Sequence, residues 1–324
     1  MAQAPGADER AQADRRRFTY EKRDKTDRSI KNPFQHERIF CEGAAGQLDV
    51  ASGKLLNLSN PVNNRNKEKI SARALVLDLF TTGVRDTLSS NDIRKIGRAF
   101  GLSDLALRTA LTRLRAEGKL STAGRGIYAA GVVEDPVRER AAVWRSHPGR
   151  RIAWDGSWVC AAIKPTSLPR TRWRRTQWAL EFNGFRQDET GLWVRPNNLR
   201  GGAGRMASDL VALGAADAML TARMDHVSGA HARRFSALWD RDRLARSHED
   251  AIHMLEHSLQ HMGSGEAAAV ETLLTGREAI RRILRDPLLP AEIAETATLD
   301  RLVACMDAYD AFGRKAWADF MEQL

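Results

Sequence analysis

Arg108, Thr109, Thr112 and Arg113 fall close together in the segment DLALRTALTRLRA (104–116), and Arg125 stands between two glycines shortly after it. Leu107, Leu111 and Leu114 recur at i, i+4 and i+7, the spacing of a helix face turned toward a core. The opposite face then holds Leu105, Thr109, Thr112 and Ala116, with Arg108 and Arg113 flanking it. Short side chains at the centre let a helix sit deep in a major groove, and flanking arginines reach guanine edges or phosphates. The threonines offer hydroxyls to phosphates or methyl groups to a thymine. A helix that only faces water more often carries Glu/Lys pairs there. After Asp104 the next acid is Glu117, at the far end. The chemistry predicted is therefore double-stranded DNA binding by Arg108, Thr109, Thr112, Arg113 and Arg125.

A second constellation sets Arg170, Arg172, Arg174 and Arg175 around Trp173. Guanidinium groups interleaved with tryptophan can hold the phosphates and adenine of a coenzyme A moiety by charge and stacking. The competing reading puts Trp173 and Trp178 in the core and leaves the arginines solvated. His253, His257 and His261 share one helix face, but an apolar stripe of Ile252, Leu255, Leu259 and Met262 lies elsewhere on that helix. A solvated polar face is expected there, and no metal site. Gly202-x-Gly204-x-x-Ala207 matches the dinucleotide fingerprint in form only, because NNLR separates it from the preceding strand and no further βαβ unit follows. No serine elbow, P-loop or kinase motif is present, so no catalytic residue is assigned and no enzyme is expected.

These residues need elements to position them. Ser89 and Asp92 read as a capping box opening a helix through Ile93, Ile96 and Phe100. GLS is a short turn, Ser103 caps the next helix, and Gly118 ends it. KLSTA and IYAAG flank Gly124-Arg125-Gly126 as a hairpin. With the helix ARALVLDLF in front, the pattern is a winged helix-turn-helix. Residues 71–131 hold ten Lys/Arg and five Asp/Glu, half of the whole chain's net charge of +10. Further on, SWVCAAI, the helix PRTRWRRTQWALEF, FRQDE, GLWVRP, the helix ASDLVALGA and DAMLTARMD spell βαββαβ, the ferredoxin-like order. After Gly229 the chain reads as helix throughout, interrupted at RDPLLPAEI by Pro287 and Pro290. The fold class predicted is multidomain α+β. Its parts are a disordered or loosely docked tail (1–69), a winged helix-turn-helix domain (70–131), a linker helix (132–153), a ferredoxin-like middle domain (154–228) and a helical C-terminal domain (229–324).

Composition agrees with a polyanionic partner: 51 Lys/Arg stand against 41 Asp/Glu in 324 residues. Three widely separated cysteines suggest neither a disulfide framework nor a cysteine zinc site. No apolar run approaches the roughly 18 residues a membrane span needs, so no membrane partner is expected. The N-terminal stretch MAQAPGADERAQADRRRF has no apolar signal core, and a cytoplasmic, nucleoid-associated protein is expected.

ALRTALTRLRAEGKL (106–120), WDGSWVCAAI (154–163), NGF with GLWVRP (183–196), ALWDRDRLARSHEDAI (237–252) and DPLLPAEI (286–293) appear in this order. Together they resemble landmarks of the PaaX family, regulators of phenylacetate and related catabolic operons. The resemblance covers residues 72 to 322. It implies a dimeric repressor released by an acyl-CoA such as phenylacetyl-CoA; a homodimer is expected to bind an inverted-repeat operator, and no cofactor is expected. Two alternatives compete with it. One is a metal-dependent nuclease on the ferredoxin-like unit, which needs carboxylates where this chain has Lys164-Pro165 at the end of the first strand. The other is a non-catalytic acyl-CoA- or protein-binding module.

Overall fold

The structure, a computed structural model, describes residues 70–81, 85–133 and 135–324. The expected tail, 1–69, lies outside the described residues. The chain is α+β, with two small antiparallel sheets among many helices.

The first group of elements is α1 (Ala72–Thr81), β1 (Thr87–Ser89), α2 (Ser90–Ala99), α3 (Asp104–Ala116), β2 (Leu120–Gly124) and β3 (Ile127–Ala130). Local sequence sets the helix boundaries. Ser89 Oγ accepts the Asp92 amide at 3.0 Å while Asp92 Oδ2 accepts the Ser89 amide at 3.2 Å, closing the predicted capping box. Ser103 Oγ accepts the Ala106 amide at 3.2 Å to start α3. Gly101 turns the chain between α2 and α3 at φ 69°. Gly118, also at φ 69°, ends α3 in a Schellman motif, with Lys119 N bonded to Leu114 O at 2.9 Å and Gly118 N to Arg115 O at 2.9 Å. Strand β1 is absent from the sequence reading. It pairs with β3 to make a three-stranded sheet of order β1-β3-β2, but three residues are too few for alternation to show.

Residues 132–153 are not one linker helix. They hold α4 (Pro136–Ala142), capped by Asp135, and then two 3-10 turns at Trp144–Ser146 and Pro148–Arg150. Pro148 opens the second of these turns and could not donate to a continuing helix. Next come β4 (Trp158–Ala162), α5 (Arg170–Phe182), β5 (Arg186–Gln187), β6 (Trp193–Pro196), α6 (Gly202–Ala212) and β7 (Leu220–Met224). Their sheet has the order β5-β6-β4-β7, antiparallel throughout. Helix α6 begins five residues before the predicted ASDLVALGA, because Gly201 reverses the chain at φ 90° and lets Gly202 open the helix. The glycines of the dinucleotide-like fingerprint therefore lie in the first turns of α6, after a strand paired only antiparallel, which is not the parallel crossover that such a site requires. Four helices finish the chain: α7 (Gly229–Ser236), α8 (Arg241–Gln260), α9 (Gly265–Arg285) and α10 (Ala297–Glu322).

A buried polar joint fixes the second sheet to the helices. Arg195 on β6 is fully buried and has no carboxylate bonded to it. Its guanidinium donates to the carbonyls of Asn183, Pro196 (3.2 Å) and Pro287 (3.2 Å) and to Asn198 Oδ1 (3.3 Å). Burial, helped by the nearby Arg150 and Arg140, lowers its pKa to about 9. Asn198 donates to Leu288 O at 2.7 Å, and Trp239 Nε1 donates to Gly184 O at 3.3 Å. Gly184 has φ 80°, and a Cβ there would lie 2.9 Å from Pro287 Cα. His248 bridges Thr298 Oγ1 and the Asp286 carboxylate, each at 3.0 Å. Loop 286–296 is thus held from β6, α8 and α10 at once.

The first group of elements does not own its core. Ala269 and Leu273 from α9 and Trp317, Phe320 and Met321 from α10 are buried together with Leu75, Ile93, Leu107, Leu111 and Leu114. Trp317 stacks on Phe100 with ring centroids 6.4 Å apart. Polar contacts follow the same seam: Arg85 reaches Met321 O at 3.4 Å, and Lys95 bonds Leu324 O. Trp317→Ala removes a large buried side chain from this seam, so it should cost about 3–5 kcal/mol. Hydrogen exchange should show α1–α3 losing protection before the second sheet does. Equal loss across both regions would show that the seam does not hold α1–α3.

Candidate nucleic-acid interface and an adjoining basic cavity

Helix α3 buries Leu107, Ala110, Leu111 and Leu114. The other side exposes Leu105, Arg108, Thr109, Thr112, Arg113 and Arg115. Thr109 and Thr112 turn their hydroxyls back to Leu105 O (2.9 Å) and Arg108 O (3.0 Å). That leaves their methyl groups outward and a second acceptor position on each oxygen. Leu105 is 69% exposed, an apolar side chain at the N-terminal end of an otherwise polar face. Arg108 and Arg113 have no hydrogen bond or ion pair to their guanidinium groups among the described residues, whereas Arg98 and Arg73 are held by Asp104 and Glu117. The two carboxylates at the ends of α3 are thereby neutralised, and the middle of the face keeps its cations.

Arg125 occupies the two-residue connection between β2 and β3, where Gly126 adopts φ 71°. Gly126 O accepts the Ser90 amide at 2.7 Å, so the hairpin tip is tied to the start of α2. Arg125 is exposed and makes no ion pair among the described residues. One framework therefore carries all five residues assigned to DNA.

The arginine–tryptophan constellation is dispersed along α5. Trp173 packs against the core. Arg172 donates to Ala215 O at 3.1 Å and lies 3.5 Å from Asp217. Arg175 donates to Leu213 O at 2.6 Å and sits 4.2 Å over the Trp178 ring. These two arginines satisfy carbonyls beyond the C-terminus of α6, which otherwise lack partners. Arg170 and Arg174 are exposed and have no side-chain partner among the described residues. His257 and His261 stack at 4.2 Å on exposed α8 surface, and His253 faces Glu256. Leu259, placed in the apolar stripe by its spacing, is 40% exposed near the end of α8. Among the described residues no group of three His, Cys, Asp or Glu side chains is arranged to hold a metal ion.

A feature with no signal in the sequence lies beside the shared core. A half-open cavity of about 640 Å³ is bordered by α1, α4, α5, α9 and α10. Nine Arg or Lys and three Asp line it, together with five aromatic side chains. Of the α5 constellation only Arg175 reaches it. On α1, Asp78 lies 3.0 Å from Arg277 of α9, but its Oδ2 is buried without a hydrogen bond of good geometry. Burial raises the Asp78 pKa to about 6, against the pull of Arg277, Arg138 and Arg281.

No family model and no curated protein matches this chain. Among solved structures, an uncharacterized protein, Rv0674 from Mycobacterium tuberculosis, aligns with a TM-score of 0.50. The alignment covers 78% of this chain and 99% of that one, at 23% identity. That likeness is one of fold. No helix among the described residues is long and apolar enough to cross a membrane.

The Asp78 shift sets a sign for pH dependence. A carboxyl whose pKa is higher folded than unfolded contributes stability below its unfolded value and loses it as pH rises through about 6. Between pH 4 and 7.5, wild type should therefore lose ground to Asp78→Asn by at most about 3 kcal/mol. Denaturant melts of both proteins across that range check this, and a pH-independent difference would refute it.

Proposed function

We propose that this chain is a DNA-binding transcriptional regulator of the PaaX type. It represses a catabolic operon and releases DNA when an aromatic acyl-CoA such as phenylacetyl-CoA binds. In this reading α1–α3 with the sheet β1-β3-β2 form a winged helix-turn-helix, α3 is the recognition helix and the β2–β3 hairpin is the wing. The βαββαβ unit is ferredoxin-like, and α7–α10 form the helical C-terminal domain. The observation that carries the reading is the exposed middle of α3, where Arg108 and Arg113 keep uncommitted guanidinium groups beside Thr109 and Thr112.

A homodimer places two copies of α3 in successive major grooves, about 34 Å apart, on an inverted repeat. The wing sets Arg125 on the backbone or in the minor groove. The fingerprint glycines, the histidine stripe and the end of β4 contribute nothing to this mechanism.

Gel-shift titration on the chain's own upstream region tests the proposal. A sequence-preferring complex is expected, weakening steeply with salt as lysines and arginines displace counterions. Absence of any preference over random DNA at moderate salt would overturn it. Arg108→Ala should weaken the specific complex by roughly 1–3 kcal/mol if that side chain reads a base. The same loss on specific and random DNA would assign Arg108 to a phosphate instead.

A further inference from the structure

The cavity lining mixes apolar and charged side chains. Leu77, Val137, Ile280 and Met306 are among its apolar residues, while the rings of Trp144 and Trp178 are covered by Arg145 and Arg175 at 4.4 and 4.2 Å. Over the whole lining, arginine and lysine outnumber aspartate three to one. Many of those cations are already paired: Arg73 with Glu117, Lys119 with Asp135, Arg145 with Asp307 and Asp310, and Arg277 with Asp78. Three are not paired with any carboxylate among the described residues. Arg138 donates only to Thr81 Oγ1 (2.7 Å) and Leu77 O (3.0 Å), and Arg175 only to Leu213 O. Arg285 has no side-chain partner at all among the described residues. These three guanidinium groups keep donors that an anion entering the space could use in charge-assisted hydrogen bonds. Its volume is that of an ordinary small-molecule site.

We propose that this cavity is a ligand site for an anion joined to an apolar body. The body lies against the aliphatic lining of Leu77, Val137 and Ile280, and the anion meets Arg138, Arg175 and Arg285. A carboxylate or a phosphate group supplies the same chemistry. If the chain is the effector-responsive regulator argued above, this is where the effector acts; the site itself stands on the cavity alone.

The position gives such a ligand a regulatory consequence. One wall is α1, whose buried face packs with α3 in the shared core, and Trp317 belongs to both the cavity and that core. A ligand seated there presses on the elements that orient α3 without touching the α3 face.

Binding of 8-anilino-1-naphthalenesulfonate, an aromatic sulfonate, to the full chain tests the site. One saturable site is expected by fluorescence and calorimetry. Ala142→Trp, which places a large ring in the cavity from its exposed rim on α4, should weaken it at least tenfold. So should Arg285→Glu, which reverses a charge without breaking any contact. Displacement by phenylacetate would identify a carboxylate ligand, and displacement by phenylacetyl-CoA but not phenylacetate a phosphate-bearing one. Wild-type affinity in both variants, or no saturable binding to wild type, would overturn the proposal. The gel shift without ligand separates the two claims. Ligand binding lost in the variants while DNA binding stays absent in wild type would sink the DNA reading and leave the site. DNA binding without saturable probe binding would do the reverse.

Discussion

The shared apolar core between α1–α3 and the ends of α9 and α10 is the constraint on which the rest of the structure depends. Three short helices and a three-stranded sheet bury too little on their own to be strongly stable. Here Trp317, Phe320 and Met321 complete that core from the far end of the chain. The consequence is mechanical as well as energetic. The exposed face of α3 is oriented by Leu107, Leu111 and Leu114, and those leucines are packed in the same core as the last turns of α10. That backing fixes the exposed face of α3 against α9 and α10.

The α9–α10 pair is itself built for close approach. A Cβ at Gly313 would lie 3.3 Å from Thr272 Cβ, and one at Gly276 would lie 3.1 Å from Met306 Cε. Glycines at a helix crossing let the backbones come near and leave little room for sliding. The pair is anchored at its other end through loop 286–296 by the Arg195 joint. Arg195 is costly to bury, and it is tolerated because four acceptors surround its guanidinium. The landmark segments around Asn183, Arg195, Trp239, His248 and Asp286 meet at this joint. Their chemistry is that of a structural lock, which fits their lack of any nucleophile or metal-ligand pattern.

Legibility in the sequence followed the range of the interactions. Helices α2 and α3, their caps and the hairpin are local: a Ser with an Asp three residues on, a leucine repeat and a glycine in the left-handed region each act within one or two turns. The order of the second sheet's elements was readable for the same reason. What failed was either too short or too distant. Strand β1 has three residues and owes its existence to pairing with β3. Helix α4 stops at Ala142 and gives way to two 3-10 turns. Arg172 and Arg175 look like a charged patch in sequence, yet they reach carbonyls beyond α6 that only the fold brings near. The cavity gathers residues from Arg73 to Trp317, and no window of sequence contains it.

The two candidate sites lie on either side of one helix. Helix α1 separates them: its buried side joins the core that carries α3, and Arg73, Asp78 and Thr81 on its other side face the cavity. Arg73 also grips Glu117 at the end of α3 through two bonds of 2.8 and 2.5 Å. The Asp78–Arg277 contact joins α1 to α9 through a carboxyl that burial makes reluctant to ionise. Helix α1 is therefore tied by charge at two points, to the end of α3 through Arg73 and to α9 through Asp78, so the helix that borders the cavity is bonded to the one that exposes Arg108 and Arg113.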